Sequence, residues 1–516
     1  MPMSRRTIFL LLTTIVILAS FLRLFHLAAI PPGLYPDEAM DGNNALEIAH
    51  REPFLSGLKV FYPENNGREG LYVNVVAVLI KLSGGIHEPW IVRLPAAISG
   101  ILTVLGLYFL AAELFGNQVG LLAAFLLATS FWHINFSRIG FRAIMAPLFL
   151  TWALYILIKG FKKLENGAPF WHAAPLFLTA GILWALGFYT YIAYRVTPAL
   201  ILLIFAFYWI EARKGSWQRQ YFLSAATFGA VLAVVAAPLV HYFRRNPGTF
   251  LGRASQISVF SAPAPLRDLA RNTWKTLAMF DFQGDANWRH NLSGRPELFW
   301  PVGILFLLGI VVAFRALVRN SSKSAGSHAR KRADGIDATA HSRFPFALLF
   351  AWFLLAMLPV VISDDILPHA LRCLLMIPCV FIFAALGGCA LYGWLRKIVD
   401  ARWLKVGAFM FLGLLAFEAY HAYFIVWARN PNVPEAFNAD YVVIGRELNA
   451  LPAATPKYVV VDAAGVVVRG TPVPAQTVMF ITDTYEPEEQ AAKNIHYVLP
   501  NDQGGIPVGA AVFHLR

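Results

Sequence analysis

The feature that most constrains this chain is a succession of apolar stretches, each roughly 17 to 25 residues long, that recurs from the amino terminus to about residue 428. A bilayer core of about 30 Å needs that many residues at helical rise, whereas stretches of about 10 to 14 belong to soluble cores. Eleven lie near 8–29, 91–114, 118–135, 143–160, 172–191, 196–211, 221–241, 299–317, 344–362, 371–393 and 404–426. With 58% hydrophobic and 14% charged residues, most of the chain cannot face water. The expected fold class is an all-α polytopic membrane protein with about eleven transmembrane helices. The first stretch follows Arg5 and Arg6 and lacks a small-residue cleavage site before Pro31, so it reads as a retained anchor.

Charge placement orients the spans. The apolar run Leu71–Leu82 is short for a crossing and is expected to lie along the interface. With that choice, Arg5/Arg6, Lys159/Lys162/Lys163, Arg213/Lys214/Arg219, the basic run 315–343 and Arg396/Lys397/Arg402/Lys405 all fall on one side, as the positive-inside rule requires. The formal charge of +13 is thereby explained by orientation in the lipid bilayer, and no nucleic-acid partner is expected. Four segments then face outward: a first outer loop at 30–90, a short turn at 133–142, an outer loop at 242–298, and everything after about Trp427. Residues 318–343 read as a polar cytoplasmic linker. The predicted location is multi-pass in the plasma (inner) membrane.

The composition changes after residue 428. KYVVVD, TVMFIT, IHYVLP and AAVFHL are short runs rich in β-branched residues, bounded by Pro, Gly and Asp, and read as strands. With YVVIGRELNAL as a helix before them, residues 429–516 are expected to form a small extracytoplasmic α/β domain beside the transmembrane domain at 1–428. Cys373, Cys379 and Cys389 lie in one apolar stretch with neither zinc nor disulfide spacing, and read as packing residues.

Chemistry concentrates in the outward segments. The first loop opens PPGLYPDEAMDGNNALEIAH, where Pro36 introduces Asp37 and Glu38 ahead of an amphipathic helix. An acidic pair at that point is also an ordinary helix start. DDILPHALR places Arg372 and His369 at the mouth of a span, and FSRIGFRAI places Arg138 and Arg142 in the neighbouring turn at (i, i+4) spacing. Arginine holds phosphate through charge-assisted, often bidentate bonds, although it also snorkels at interfaces. The loop at 242–298 adds Arg244, Arg245 and Arg253 as further phosphate candidates, and its Asp, Asn, Trp and His suit sugar hydroxyls and a ring face.

These residues, with NGREGLY at 66–72, VRLPAAISG at 92–100, FSRIGFRAIMAPLF at 136–149 and PHALRCLLMIP at 368–378, resemble the GT-C glycosyltransferases, in particular the protein O-mannosyltransferase and lipid A aminoarabinose transferase group. The resemblance covers most of the membrane part. It implies the GT-C fold and transfer of a sugar from a polyprenyl-phosphate donor to a glycan, lipid or protein acceptor. It also implies an acidic residue at the place of Asp37 and Glu38. Asp37 is then the general base, Glu38 orients the acceptor or supports Asp37, and Arg372 with His369 holds the donor phosphate, with Arg138, Arg142 and Arg253 behind them.

The mannosyltransferases place a further acid in the turn where Ala143 stands, so a second carboxylate from that turn is not expected. The aminoarabinose transferases bind a metal with a glutamate and a later histidine. Here Glu69 is the candidate glutamate and His241 or His290 a candidate histidine, each also readable as a satisfied structural histidine; Glu64 is an alternative acid, and a divalent metal ion is left unassigned. A transporter or flippase of lipid-linked sugars is the competing reading. Span centres that are almost uncharged, and the absence of an internal repeat, count against it.

Overall fold

The computed structural model describes residues 3–215, 217–250, 258–318, 343–363 and 366–516. Arg253 and nearly all of the linker at 318–343 lie outside the described residues. The helices are α1 (Arg5–Leu24), α2 (Pro36–His50), α3 (Leu71–Leu82), α4 (Pro89–Phe115), α5 (Asn117–Ala128), α6 (Phe131–Phe136), α7 (Met145–Glu165), α8 (Phe170–Gly187), α9 (Pro198–Lys214), α10 (Gln218–Arg245), α11 (Pro265–Ala278), α12 (Trp300–Val318), α13 (Phe344–Val361), α14 (Ile377–Leu395) and α15 (Ala401–Tyr420). Among the described residues ten segments are long and apolar enough to cross a membrane, built on α1, α4, α7, α8, α9, α10, α12, α13, α14 and α15. The chain is therefore a multi-span helical membrane protein. As the sequence predicts, α3 is only 12 residues long and packs its Tyr72, Val73, Val76, Ala77 and Ile80 inward.

The expected span at 118–135 is corrected. It is a broken helix, α5 followed by α6, with a turn at Thr129–Ser130 where the Ser130 hydroxyl accepts from the His133 amide. A break at membrane depth frees carbonyls that no water can reach, and it is tolerated only inside protein. Here the guanidinium of Arg23, fully buried at the end of α1, donates to the Leu127 and Ala128 carbonyls at 3.2 and 3.1 Å. It also meets His133 Nδ1 at 2.7 Å. A cation thus caps the carboxyl end of α5, where the helix dipole favours one. The segment still returns the chain from the far end of α4 to the level of the end of α1.

Small residues let the carboxyl-terminal spans close on each other. A Cβ on Gly309 of α12 would stand 1.7 Å from the Phe383 carbonyl oxygen, and one on Gly387 of α14 would stand 1.9 Å from that of Leu305. This backbone-to-backbone contact is the usual means of helix association in lipid. It fixes α14, and with it the turn that precedes it.

Beyond α15 the chain passes through a π-helical turn, His421–Trp427, into a small α/β unit. Its helices are α16 (Asn432–Ala436), α17 (Ala439–Ala450), α18 (Gln476–Thr482) and α19 (Pro487–Lys493). Two-residue strands β1 (Phe61–Tyr62) and β2 (Arg68–Glu69) form a hairpin in the loop at 30–90. In the carboxyl-terminal unit, β3 (Lys457–Val461), β4 (Val467–Val468), β5 (Thr471–Pro472), β6 (Ile495–Val498) and β7 (Ala511–Leu515) follow. A parallel sheet of order β6-β3-β7 forms its core, and β4 pairs with β5 apart from it.

KYVVVD, IHYVLP and AAVFHL are strands as expected, but TVMFIT is the helix α18, a correction with a tertiary cause. Asn43 of α2 bonds the Gln476 carbonyl and side chain at 3.0 and 2.9 Å, and Thr477 donates to the Leu34 carbonyl at 2.8 Å. A Cβ on Gly42 would stand 2.6 Å from the Phe480 ring. Burial against α2 overrides the weak strand preference of the run. In return α18 covers α2 together with α3, and almost every residue of that polar helix is buried.

Candidate active site

The site is built on the first turns of α2. Pro36 occupies the first helical position, where its missing N–H costs nothing. Consecutive helical residues diverge by about 100°, so Asp37 and Glu38 cannot face the same way. Glu38 points inward and is fully buried. Its carboxylate pairs with Arg93 of α4, at 2.9 Å to Nε and 3.2 Å to Nη2, and accepts from the amides of Gly140 and Tyr35 at 2.7 and 3.2 Å. Every lone-pair direction is engaged, so Glu38 does not orient an acceptor. Of the two roles expected for it, only support of Asp37 is compatible with this position. It ties the start of α2 to α4 and to the turn at 137–142.

Asp37 turns the other way, half-buried, into a cavity open to solvent. Its Oδ1 accepts from Asn65 Nδ2 at 2.8 Å. One turn later Asp41 lines the same cavity and bonds Arg68 of the β1–β2 hairpin, whose other nitrogen meets Asn44 at 2.6 Å. Burial pushes the Asp41 carboxyl above its ordinary value, opposed by Arg68 and Arg142. Arg372 and His369, from the turn before α14, line the cavity too, as do Arg142 and Tyr191. Asp37 and Arg372, far apart in sequence, therefore share one cavity.

The arginines divide. Arg142 lines the cavity and pairs with Glu69 at 3.3 Å, while Arg372 lines it and bonds the Ser363 hydroxyl. Arg138 is corrected as a phosphate contact. It is fully buried and donates to the carbonyls of Leu22, Phe25 and Ile30 at 3.2, 2.7 and 2.9 Å, beneath the Tyr423 and Phe424 rings. The (i, i+4) spacing aligns two side chains only on a helix, and residues 137–141 form a turn. Arg244 and Arg245 are exposed at the end of α10. Residues 366–373 are turns, and helix begins at Leu374, because the Ala370 amide is drawn to Asp285 Oδ2 at 2.9 Å.

Glu69 pairs with Arg142 and, at 3.0 Å, with Arg195, and among the described residues it joins no group of three or more His, Cys, Asp or Glu side chains close enough to share an ion. Glu64 sits in the hairpin turn outside the cavity lining, and His241 is exposed. His290 is placed elsewhere than beside Glu69. Its Nδ1 lies 2.9 Å from Asp285 Oδ2, its ring stacks on His369 at 5.0 Å, and His369 belongs to the cavity wall.

Sequence reasoning did not nominate Asp41, Asn65 or Arg68, and it counted Asp285 only among the polar residues of the 242–298 loop suited to sugar hydroxyls. Asp41 is the signal most readily found, one helical turn from Asp37 on the same face. Arg68 lay within the quoted motif at 66–72 but was passed over for its neighbour Glu69.

Comparison with known proteins follows this geometry. Residues 74–241 match the family model described as dolichyl-phosphate-mannose-protein mannosyltransferase. Comparison with curated proteins gives no match. Among solved structures the chain resembles ArnT from Cupriavidus metallidurans bound to undecaprenyl phosphate, with TM-score 0.55 and 14% identity, over 96% of this chain and 90% of that one. It also resembles the oligosaccharyltransferase of Archaeoglobus fulgidus in the apo form, with TM-score 0.53 and 13% identity, over 97% of this chain and 65% of that one. The archaeal oligosaccharyltransferase AglB from the same organism, in complex with an inhibitory peptide and a dolichol-phosphate, matches with TM-score 0.50 and 13% identity, over 92% of this chain and 63% of that one. The chain has the GT-C fold, and the resemblance read from its motifs holds.

Proposed function

We propose that this chain, a GT-C-fold membrane protein, is a glycosyltransferase that moves a sugar from a polyprenyl-phosphate donor to an acceptor on the extracytoplasmic face of the plasma (inner) membrane, with inversion. The observation that carries the reading is the shared cavity of Asp37 and Arg372. ArnT bound to undecaprenyl phosphate and AglB with a dolichol-phosphate support a polyprenyl carrier as donor.

A polyprenyl-phosphate sugar is already activated, because phosphate is a stable leaving group. The protein must take a proton from the acceptor and hold the phosphate as charge builds on it. Asp37 accepts the acceptor hydroxyl proton. The acceptor oxygen then bonds the anomeric carbon from the face opposite the phosphate, and the carbon–oxygen bond to phosphate breaks with its electron pair leaving on phosphate. Arg372, with Arg142 and Arg68 nearby, meets that charge through N–H donors set in place beforehand. The oxocarbenium character of the reacting carbon favours a carboxylate nearby. Asn65 fixes one oxygen of Asp37 at 2.8 Å and leaves the other toward the cavity. An acceptor that is itself an ionised phosphate would need no base, so dependence on Asp37 also reports a hydroxyl acceptor.

The test is release of polyprenyl phosphate by purified protein given a polyprenyl-phosphate sugar, with and without acceptor. Acceptor-dependent release in wild type, lost in Asp37→Asn, is the expected result. Movement of intact lipid-linked sugar across vesicles without release would overturn the reading in favour of a flippase.

A further inference from the structure

We infer that Asp285, His290 and His369 form a binding site for a divalent transition-metal ion, with zinc the ion whose geometry fits, set in the wall of the cavity. One ligand atom from each of the three residues lies within 4.8 Å of the other two. The donors are two imidazole nitrogens and a carboxylate oxygen, a set that suits zinc and its neighbours and disfavours magnesium or calcium, which prefer oxygen alone. They come from distant stretches of the chain, two from the turns between α11 and α12 and one from the turn before α14.

The spacing points to an ion. Asp285 Oδ2 stands 2.9 Å from His290 Nδ1 and 3.9 Å from His369 Nδ1, the second beyond hydrogen-bond distance. Ligand atoms around a tetrahedral zinc, each about 2.0–2.1 Å from it, are separated by roughly 3.3 Å, between the two observed values. All three ligand atoms lie within 4.8 Å of one another, so side-chain shifts of up to about 1.5 Å bring the set onto one ion.

The surroundings orient the donors as a metal site requires. Asp285 Oδ1 accepts from the Asn287 amide at 2.8 Å, its Oδ2 accepts from the Ala370 amide at 2.9 Å, and its own amide donates to Glu297 Oε1 at 3.0 Å. Such outer bonds fix a ligating carboxylate. Asp285 and His290 are buried, while His369 lines the cavity with Arg372. Three protein ligands with a remaining position turned toward a cavity are the arrangement of a reactive rather than a closed structural site. On the glycosyltransferase reading, that position takes an oxygen of the donor phosphate and adds to the charge of Arg372. This second half rests on that reading, whereas the binding of the ion does not.

The test uses full-length protein in detergent, stripped with chelator, dialysed against zinc and assayed for bound metal by mass spectrometry. About one zinc per chain is expected. Asp285→Asn, His290→Ala and His369→Ala should each weaken binding at least about tenfold, whereas His241→Ala binds as wild type does. Replacement by cobalt should give the visible absorption of a four-coordinate ion with nitrogen ligands. That spectrum is read on wild type, so it stands even where a variant fails to fold. No stoichiometric zinc in wild type, or undiminished binding in folded His369→Ala, overturns the site. A cobalt spectrum unmoved by polyprenyl phosphate overturns the phosphate role alone. Bound metal without sugar transfer would sink the functional reading and leave the site standing, and transfer at full rate by metal-free protein would do the reverse to the phosphate role.

Discussion

Two groups of arginine lie around the start of α2, and they differ in what they touch. Arg23, Arg93 and Arg138 are fully buried and each donates to backbone carbonyls, those of Ala19, Leu127 and Ala128, of Pro31 and Gly33, and of Leu22, Phe25 and Ile30, with Arg93 also pairing with the buried Glu38 and Arg23 meeting His133. Arg68, Arg142 and Arg372 line the cavity and bond side chains there, Arg68 those of Asp41 and Asn44, Arg142 that of Glu69, and Arg372 the Ser363 hydroxyl. A carbonyl freed by a break or a turn in water-excluded backbone has no other donor, so the first group is fixed there by the cost of leaving it unsatisfied. A side-chain partner can rotate aside, so the second group can exchange it for a phosphate oxygen. The difference separates arginines that hold the loop from arginines that can act.

The largest expected effect tests the acidic pair set between the two groups. Asp37→Asn should lower kcat about 100- to 10,000-fold, the usual worth of a general base, and leave unfolding in detergent unchanged. Its neighbour should behave in the opposite way. Arg93→Met leaves Glu38 buried and unpaired, which costs about 3–5 kcal/mol, read as a lower unfolding temperature or denaturant midpoint. If Arg93→Met instead left stability intact and removed only activity, the division drawn above would fail.

How much of this was legible in the sequence follows from the range of each signal. Span positions rest on local apolarity and were readable, as was α3 as a helix too short to cross. The break at Thr129–Ser130 was not, because LLATSFWHINF stays apolar through it and the partner that makes the break tolerable, Arg23, lies far back in the chain. TVMFIT carries the composition of a strand and becomes a helix only through its contact with α2. In the site, Pro36-Asp37 and the turn of Arg372 were nominated from motifs. Arg138 and Arg142 look alike in FSRIGFRAI, yet only the fold shows that one ends on carbonyls and the other on the cavity. The partnership of Asp285 with His369 was invisible for the same reason, since His369 arrives from another part of the chain.

Arg372 sharpens the contrast from the cavity side. Arg372→Ala should raise KM for the donor and lower kcat/KM about 10- to 150-fold, the range expected for losing about 1.5–3 kcal/mol of charged hydrogen bonding. Arg372→Lys should recover part of this, since a point charge replaces the planar fork. Steady-state kinetics against donor concentration reads both. A variant whose donor dependence is untouched would move Arg372 into the holding group despite its place on the wall.

The smallest effect concerns an arginine that resembles the cavity group in its partners and the holding group in its task. Arg469 of the carboxyl-terminal unit bridges Glu47 of α2 and Glu486 at 2.9 and 2.8 Å, over the Tyr485 ring. It is 38% exposed, and exposed pairs contribute about 0.2–1 kcal/mol, less as salt rises. Burial pushes the Glu47 carboxyl up, yet Lys59 and Arg469 hold it below its ordinary value. Its contribution is therefore present at neutral pH and is lost as pH falls through that lowered value. Arg469→Ala should thus shift stability by no more than about 1 kcal/mol at neutral pH and by nothing in strong acid, with kcat unchanged. A fall in kcat at unchanged stability would mean that the carboxyl-terminal unit sets the pose of α2, and with it Asp37, through this one contact. The Asn43–Gln476 and Thr477–Leu34 bonds argue otherwise, because they hold the same helix from buried positions that neither salt nor pH reaches.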